Sequence, residues 1–225
     1  AFLLNKFCNW MNDTESWEGL GDDKKVATGI VKAIIAHLYF TWIHPFGDGN
    51  GRTARLLELK ILLDNGVPAA AAHLLSNFYN ETRNNYYAVL EKTSLNGGNP
   101  TYFLEYALQG FVDALDSHID AILKEQVSVA WTNYVHDRFR QEAATKVNSR
   151  QRELLLAIST VALESPVSKR EILSKVTLNA KLSKQYENHQ RMFQRDINSL
   201  VKMKLLEKNS ESKYMPALNI IMSSY

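Results

Sequence analysis

The chain has 225 residues, 45% of them hydrophobic and 22% charged, with a formal net charge of +2, so it can form one large or two modest globular domains. Its only cysteine, Cys8, excludes an intramolecular disulfide and fits a reducing, cytoplasmic setting, and no His or Cys pair has the spacing of structural zinc ligands. No run is read as long enough to span a membrane and no basic-then-apolar leader opens the chain, so no membrane partner is expected; because Ala1 leads straight into an apolar pattern, an upstream portion is expected to be missing.

Phe2 to Met11 reads as a short amphipathic helix with Leu3, Phe7, Trp10 and Met11 on one face. Asn12 to Asp23, with Gly19 and Gly21, reads as a loop. Val26 to Ile43 is an apolar helical pattern, and His37 on its stripe is read as a packed, hydrogen-bonded side chain. Between this helix and the next, which begins around Leu56, lies His44-Pro45-Phe46-Gly47-Asp48-Gly49-Asn50-Gly51-Arg52-Thr53-Ala54-Arg55. A glycine-rich turn that empties into a helix N-terminus offers unpaired N–H groups and the positive end of the dipole to an anion. Arg52 and Arg55, three apart, share a face and can grip neighbouring phosphoryl groups. Asp48 is a hard oxygen ligand for Mg²⁺, Asn50 can donate to a phosphoryl oxygen, and Gly49 and Gly51 let the backbone approach closely. His44 lies at the other lip of the loop, and an imidazole, with an unperturbed pKa near neutrality, can take a proton from an attacking hydroxyl.

This segment resembles the signature of the Fic (Fic/Doc) family, H-P-F-x-D-G-N-G-R-x-x-R, at every fixed position. The resemblance implies an all-α fold and transfer of AMP from ATP to a protein hydroxyl. By position it makes His44 the general base, Asp48 the Mg²⁺ ligand and Phe46 the apolar anchor that docks the loop into the core. It lines the anion hole with Gly49, Asn50 and Gly51, brings Arg52 to the α/β-phosphates and Arg55 to the γ-phosphate. The Doc branch, which phosphorylates its target, resembles this loop but carries Lys where this chain has Gly51, a departure that favours nucleotidyl transfer.

Leu56 to Leu63 continues the helix after the loop, and Asn65-Gly66 ends it. Ala69 to Leu75 reads as a turn of helix or a connector, and Ser76-Asn77 as the cap of a helix over Tyr79 to Lys92. In the family this region resembles the helix whose tyrosines approach the nucleotide base, which maps to Asn84, Tyr86 and Tyr87; by amphipathic spacing the two tyrosines read equally well as packed residues with a wet hydroxyl. Asn96 to Pro100 is a break, after which Thr101 caps a run through Phe103, Tyr106, Phe111 and Leu115 that continues as Ile119 to Lys146. Trp131, Tyr134, Val135 and Phe139 form a packing stripe on it.

At residue 148 the charge changes: residues 1–147 hold 13 Lys/Arg and 17 Asp/Glu, residues 148–225 hold 13 and 7, a net of +6. This predicts two domains, 1–147 and 148–225, with different partners. Arg152 to Leu163, Lys169 to Val176 (capped by Ser168) and Tyr186 to Lys204 read as three helices, and Leu205 to Met215 as a small hairpin around Asn209–Ser212. That order resembles a winged-helix domain, with Phe193 to Leu200 like its recognition helix. Arg191, Arg195 and Lys202 are then the residues that would touch DNA or a partner protein. The expected fold class is mainly α, a Fic-type helical bundle followed by a small winged-helix (α+β) domain.

The expected function is a protein adenylyltransferase with Mg²⁺ as cofactor, ATP as substrate and an unspecified target protein. The competing reading is a winged-helix DNA-binding or docking regulator whose loop only binds nucleotide. A homodimer is a further partner state the sequence leaves open. The family's inhibitory helix has the pattern [S/T]-x-x-x-E-[G/N], and two stretches fit its letters, Thr14 to Gly19 and Ser183 to Asn188.

Overall fold

The computed structural model describes residues 1–13, 24–140, 146–174, 178 and 180–222, in two compact units, Ala1–Ile119 and Asp120–Tyr225. The first Ser/Thr-x-x-x-Glu stretch, Thr14 to Gly19, lies outside the described residues.

The first unit is helical. Helices α1 (Phe2–Asn12), α2 (Lys25–Ile43) and α3 (Asn50–Asp64) are followed by a single turn, α4 (Ala69–Ala72), then α5 (Leu74–Glu81), α6 (Arg83–Leu95) and the first half of α7 (Thr101–Arg140). Helix α2 carries the core: Ala33, Ile34, Ala36, His37, Leu38 and Phe40 are buried along it. It packs along α3, where Ala54, Glu58, Ile61 and Leu62 turn inward at the spacing of one helical face. Their close approach is visible at Gly29, where an added Cβ would stand 2.3 Å from Asn65 Cβ. By length and composition α2 is able to cross a membrane, which corrects the expectation that no run reaches that size. Its buried residues and its polar link from His37 to α3 are those of a core helix.

The predicted helix over Tyr79–Lys92 is two helices. Thr82 sits between them at φ −103°, ψ 32°; its hydroxyl bonds back to the Phe78 carbonyl at 2.7 Å and also meets the Tyr106 hydroxyl. A threonine that hydrogen-bonds backward competes with the helix ladder, so α5 stops there. Ser76 lies inside α5 and caps nothing. The helix that starts at Thr101 takes its acceptor from Asn99, whose Oδ1 receives the Thr101 N–H at 3.1 Å and hydroxyl at 2.7 Å.

The second unit begins within α7, ahead of the composition change at residue 148, because Trp131, Val135 and Phe139 are buried in its core. The Trp131 indole donates to Ser159 Oγ at 2.7 Å. Helices α8 (Lys146–Ala162), α9 (Lys169–Ile172), α10 (Ala180–Asn188) and α11 (Gln190–Lys202) precede the antiparallel pair β1 (Leu206–Lys208) and β2 (Tyr214–Pro216), then a last turn, α12 (Asn219–Met222). Ser168 and Glu171 form a reciprocal capping box at α9, and the neighbouring Val167 bridges Tyr214 of β2. The predicted helix over Tyr186–Lys204 breaks at His189 (φ −138°, ψ 65°). The break lets α10 fold back so that Tyr186 meets Phe193 edge-on at 5.3 Å and donates its hydroxyl to Asp196 Oδ2 at 3.1 Å. Asp196 is fully buried and also receives Arg150 Nε at 2.7 Å, Arg150 Nη2 at 3.1 Å and Gln151 Nε2 at 3.1 Å. That bidentate bond raises the Arg150 pKa above the ordinary value.

Candidate active site

Helix α2 ends at His44, whose backbone is left-handed (φ 49°, ψ 53°) while its N–H still bonds the Phe40 carbonyl at 3.1 Å. This turns the chain out of the helix and leaves the imidazole exposed at the lip of the loop. Phe46 is 49% exposed and rests its ring on Phe40 at a centroid distance of 6.0 Å. The anchor implied by the resemblance is therefore a ring laid against the edge of the core, outside it.

What closes the loop is Asn50. Its Oδ1 accepts the Phe46 N–H at 2.9 Å and its Nδ2 donates to the Phe46 carbonyl at 2.6 Å, with the residue only 4% exposed. The carboxamide is thus engaged by its own loop, and the donors left for an anion are backbone amides. Gly49 precedes α3 at φ +85°, a conformation that disfavours any side chain. Its carbonyl accepts the Thr53 N–H at 2.9 Å and hydroxyl at 3.0 Å, which places the Gly51 and Arg52 amides at the open helix end. A Cβ on Gly51 would meet nothing within 4 Å, so this position opens onto free space beside those amides.

The charged groups divide into an exposed pair and two residues that turn inward. Arg52 Nη2 lies 2.8 Å from Asp48 Oδ2, with the two side chains 77% and 92% exposed. A surface pair of this kind contributes about 0–1 kcal/mol and opens readily. Arg55 turns inward: its Nε is buried and has no hydrogen-bond partner among the described residues. Three residues further along α3, Glu58 is 1% exposed. It accepts the Tyr79 hydroxyl at 3.0 Å and lies 3.5 Å from His37 Nδ1, while His37 Nε2 is 2.9 Å from the Tyr86 hydroxyl. Burial, followed by Glu58, pushes the Tyr79 hydroxyl well above the ordinary range. Burial likewise raises Tyr86; Arg55 then opposes the rise and Glu58 adds to it.

Of the two tyrosines mapped to the nucleotide base, Tyr86 lies in the core with its hydroxyl engaged by His37. Tyr87 is 53% exposed, with the Arg83 guanidinium 5.8 Å over its ring. The loop residues thus come together around one helix start, and Tyr87 is the accessible tyrosine of the pair. Sequence reasoning missed Glu58. The signal was there: a carboxylate at the fourth position after Ala54 and the fourth before Leu62 falls on the buried face of α3. In the second unit Arg191, Arg195 and Lys202 are exposed on α11 while Phe193, Ile197 and Leu200 point inward. Ser183 and Glu187 of the second inhibitory-type stretch bond one another on α10 at 3.2 Å.

Residues 1–62 match the family model described as Fic/DOC family. The chain is 32% identical over 127 residues to the protein adenylyltransferase fic-1 of Caenorhabditis elegans, covering 53% of this chain and 22% of that protein. It is 35% identical over 119 residues to fic-1 of Caenorhabditis briggsae, covering 53% and 20%. To the protein adenylyltransferase Fic of Nematostella vectensis it is 29% identical over 116 residues, covering 52% and 23%. The chain therefore spans about a fifth of the length of these curated relatives. A glycine-capped helix start behind a left-handed histidine, with the whole twelve-residue signature in place, falls inside the matched residues. The similarity to the Fic/DOC family is carried by residues 1–62, which include all twelve residues of that loop.

Proposed function

We propose that this protein transfers AMP from ATP to a side-chain hydroxyl of a target protein. The observation that carries the reading is the buried, unpartnered Nε of Arg55 in the second turn of α3, on a guanidinium that follows the open amides of the helix start. The relatives' printed activity, adenylyl transfer, supplies the class of reaction. In this reading the phosphates lie over the Gly49–Arg52 amides, with the terminal ones against Arg52 and Arg55. A Ser, Thr or Tyr hydroxyl approaches His44, which takes its proton as the oxygen bonds to the α-phosphorus. The bond from that phosphorus to the departing pyrophosphate breaks, and the leaving charge passes to the two guanidinium groups. The His44 proton then returns to solvent. Tyr87, exposed on α6, is placed by this reading beside the base.

Mg²⁺ suits the donor set, since it takes one or two carboxylates together with phosphate oxygens and water, and Asp48 presents one highly exposed carboxylate. When bound there it would neutralise phosphate charge. Asp48 would exchange Arg52 for the ion, freeing that arginine for phosphate.

The test is labelling from ATP marked at the α-phosphate, with wild type, His44→Ala and Arg55→Ala side by side. Loss of the base is expected to lower labelling by about 10²–10⁴-fold. A His44→Ala protein that labels its target at the wild-type rate refutes the assignment.

A second reading concerns residues 148–225, as a winged-helix module that contacts DNA or a docking partner. The helix–helix–helix–hairpin order, the Val167–Tyr214 bridge and the exposed Arg191, Arg195 and Lys202 favour it. Binding to duplex DNA should fall steeply with salt if those residues meet phosphates, and a flat salt response refutes the DNA contact.

A further inference from the structure

Four helices of the first unit each lend one polar group to a buried chain: Tyr86 of α6, His37 of α2, Glu58 of α3 and Tyr79 of α5. Their hydrogen bonds have a direction. Tyr79 donates to Glu58, and the Tyr86 hydroxyl reaches His37 Nε2, so with its proton on Nδ1 the imidazole turns a donor toward Glu58. Tyr79 and His37 then both face one carboxylate. Glu58 is 1% exposed, and His37 Nδ1, 3.5 Å from it, makes no hydrogen bond among the described residues. One turn earlier on the same face stands Arg55, also partly buried and with its Nε unpartnered.

We infer that Glu58 is a positioning residue whose buried charge sets how tightly Arg55 holds a phosphate. The inference rests on the phosphate-binding reading of the loop. The opposite pull that Arg55 and Glu58 exert on the ionisation of Tyr86 places both charges within electrostatic reach of one buried hydroxyl. The medium between them is protein, so solvent and salt screen it weakly. A fixed negative charge under the arginine lowers the potential that a phosphate meets. The unliganded site is thereby stabilised as a charge pair, and the affinity for ATP and for pyrophosphate is held below what Arg55 alone would give. That helps the leaving product to depart.

Glu58→Gln tests this. It keeps the side-chain volume and an acceptor for the Tyr79 hydroxyl and removes the charge, at the cost of turning an amide NH2 toward His37 Nδ1. Titration calorimetry with ATP and with inorganic pyrophosphate should show each binding tighter, by about tenfold for a charge some 10 Å away at an effective dielectric near 20. The KM for ATP should fall with it and kcat should not rise. A purely structural role gives the opposite sign, weaker binding. In an Arg55→Gln background the effect of Glu58→Gln should vanish. Unchanged or weaker binding in a folded Glu58→Gln protein overturns the inference, and so does tightening that persists without Arg55. If Glu58→Gln does not fold, Glu58→Leu with Tyr79→Phe removes charge and donor together, a replacement that buried polar groups often tolerate. If neither folds, Glu58 is a structural requirement and the inference fails. A wild-type protein that binds neither probe sinks the phosphate reading itself. Wild-type binding without tightening in the variant sinks only the role of Glu58.

Discussion

Asn50→Ala should open the loop without unfolding the domain. The Asn50 carboxamide makes two hydrogen bonds to the Phe46 backbone, at 2.9 and 2.6 Å, and these tie the middle of the loop to the start of α3. Each contributes a net of about 1 kcal/mol, and the Phe46 N–H and carbonyl lose their partner. The closed loop then loses about 2–3 kcal/mol relative to open forms. If its lead over those forms is no larger than the two bonds, the apparent Kd for ATP rises by as much as roughly 30–100-fold. Calorimetric titration with ATP and Mg²⁺ measures it, and thermal unfolding should move little, because the loop lies at the surface of the core. Asn50→Asp keeps the acceptor for the Phe46 N–H but sets a carboxylate against the Phe46 carbonyl and the anion site, so it should bind ATP no better than Asn50→Ala. A Kd within twofold of wild type for Asn50→Ala refutes the claim that these bonds hold the binding-competent loop.

Two further outcomes follow from the buried networks. Asp196→Ala strands Arg150 and the Tyr186 hydroxyl and should cost the second unit about 3–5 kcal/mol, read as a large drop in its calorimetric transition; a loss below about 1 kcal/mol would mean the network is replaceable. The hydroxyls of Tyr79, Tyr86 and Tyr186 are each raised above the ordinary 10.0 chiefly by burial, so each favours the folded state fully below about pH 10 and loses that contribution as pH climbs toward its folded value. In an alkaline titration followed by tyrosinate absorbance, these three should ionise only together with unfolding; their smooth titration in a folded protein would contradict their burial.

The loop was legible because its chemistry is local: glycines, a carboxylate and two arginines within twelve residues describe an anion site before any tertiary contact is known. Its internal bonding was not. Nothing in the letters distinguishes a carboxamide that faces a ligand from one folded onto Phe46, since both need the same residue. Periodicity placed His37 and the Trp131–Phe139 stripe in the core, and both are there. It ran α5 into α6 and α10 into α11, because a break made by one threonine hydroxyl or one extended histidine leaves the apolar spacing on either side intact. The pairing of Glu58 with Tyr79 and of Arg150 with Asp196 joins residues 21 and 46 positions apart, which a local reading does not reach.

The left-handed backbone of His44 has a consequence for selection. Such a conformation costs a residue with a Cβ about 1–2 kcal/mol and glycine almost nothing. Replacing His44 by glycine would release that strain and delete the imidazole in one step. A library screened only for yield or heat tolerance would therefore enrich glycine at position 44, whatever the exposed imidazole does there.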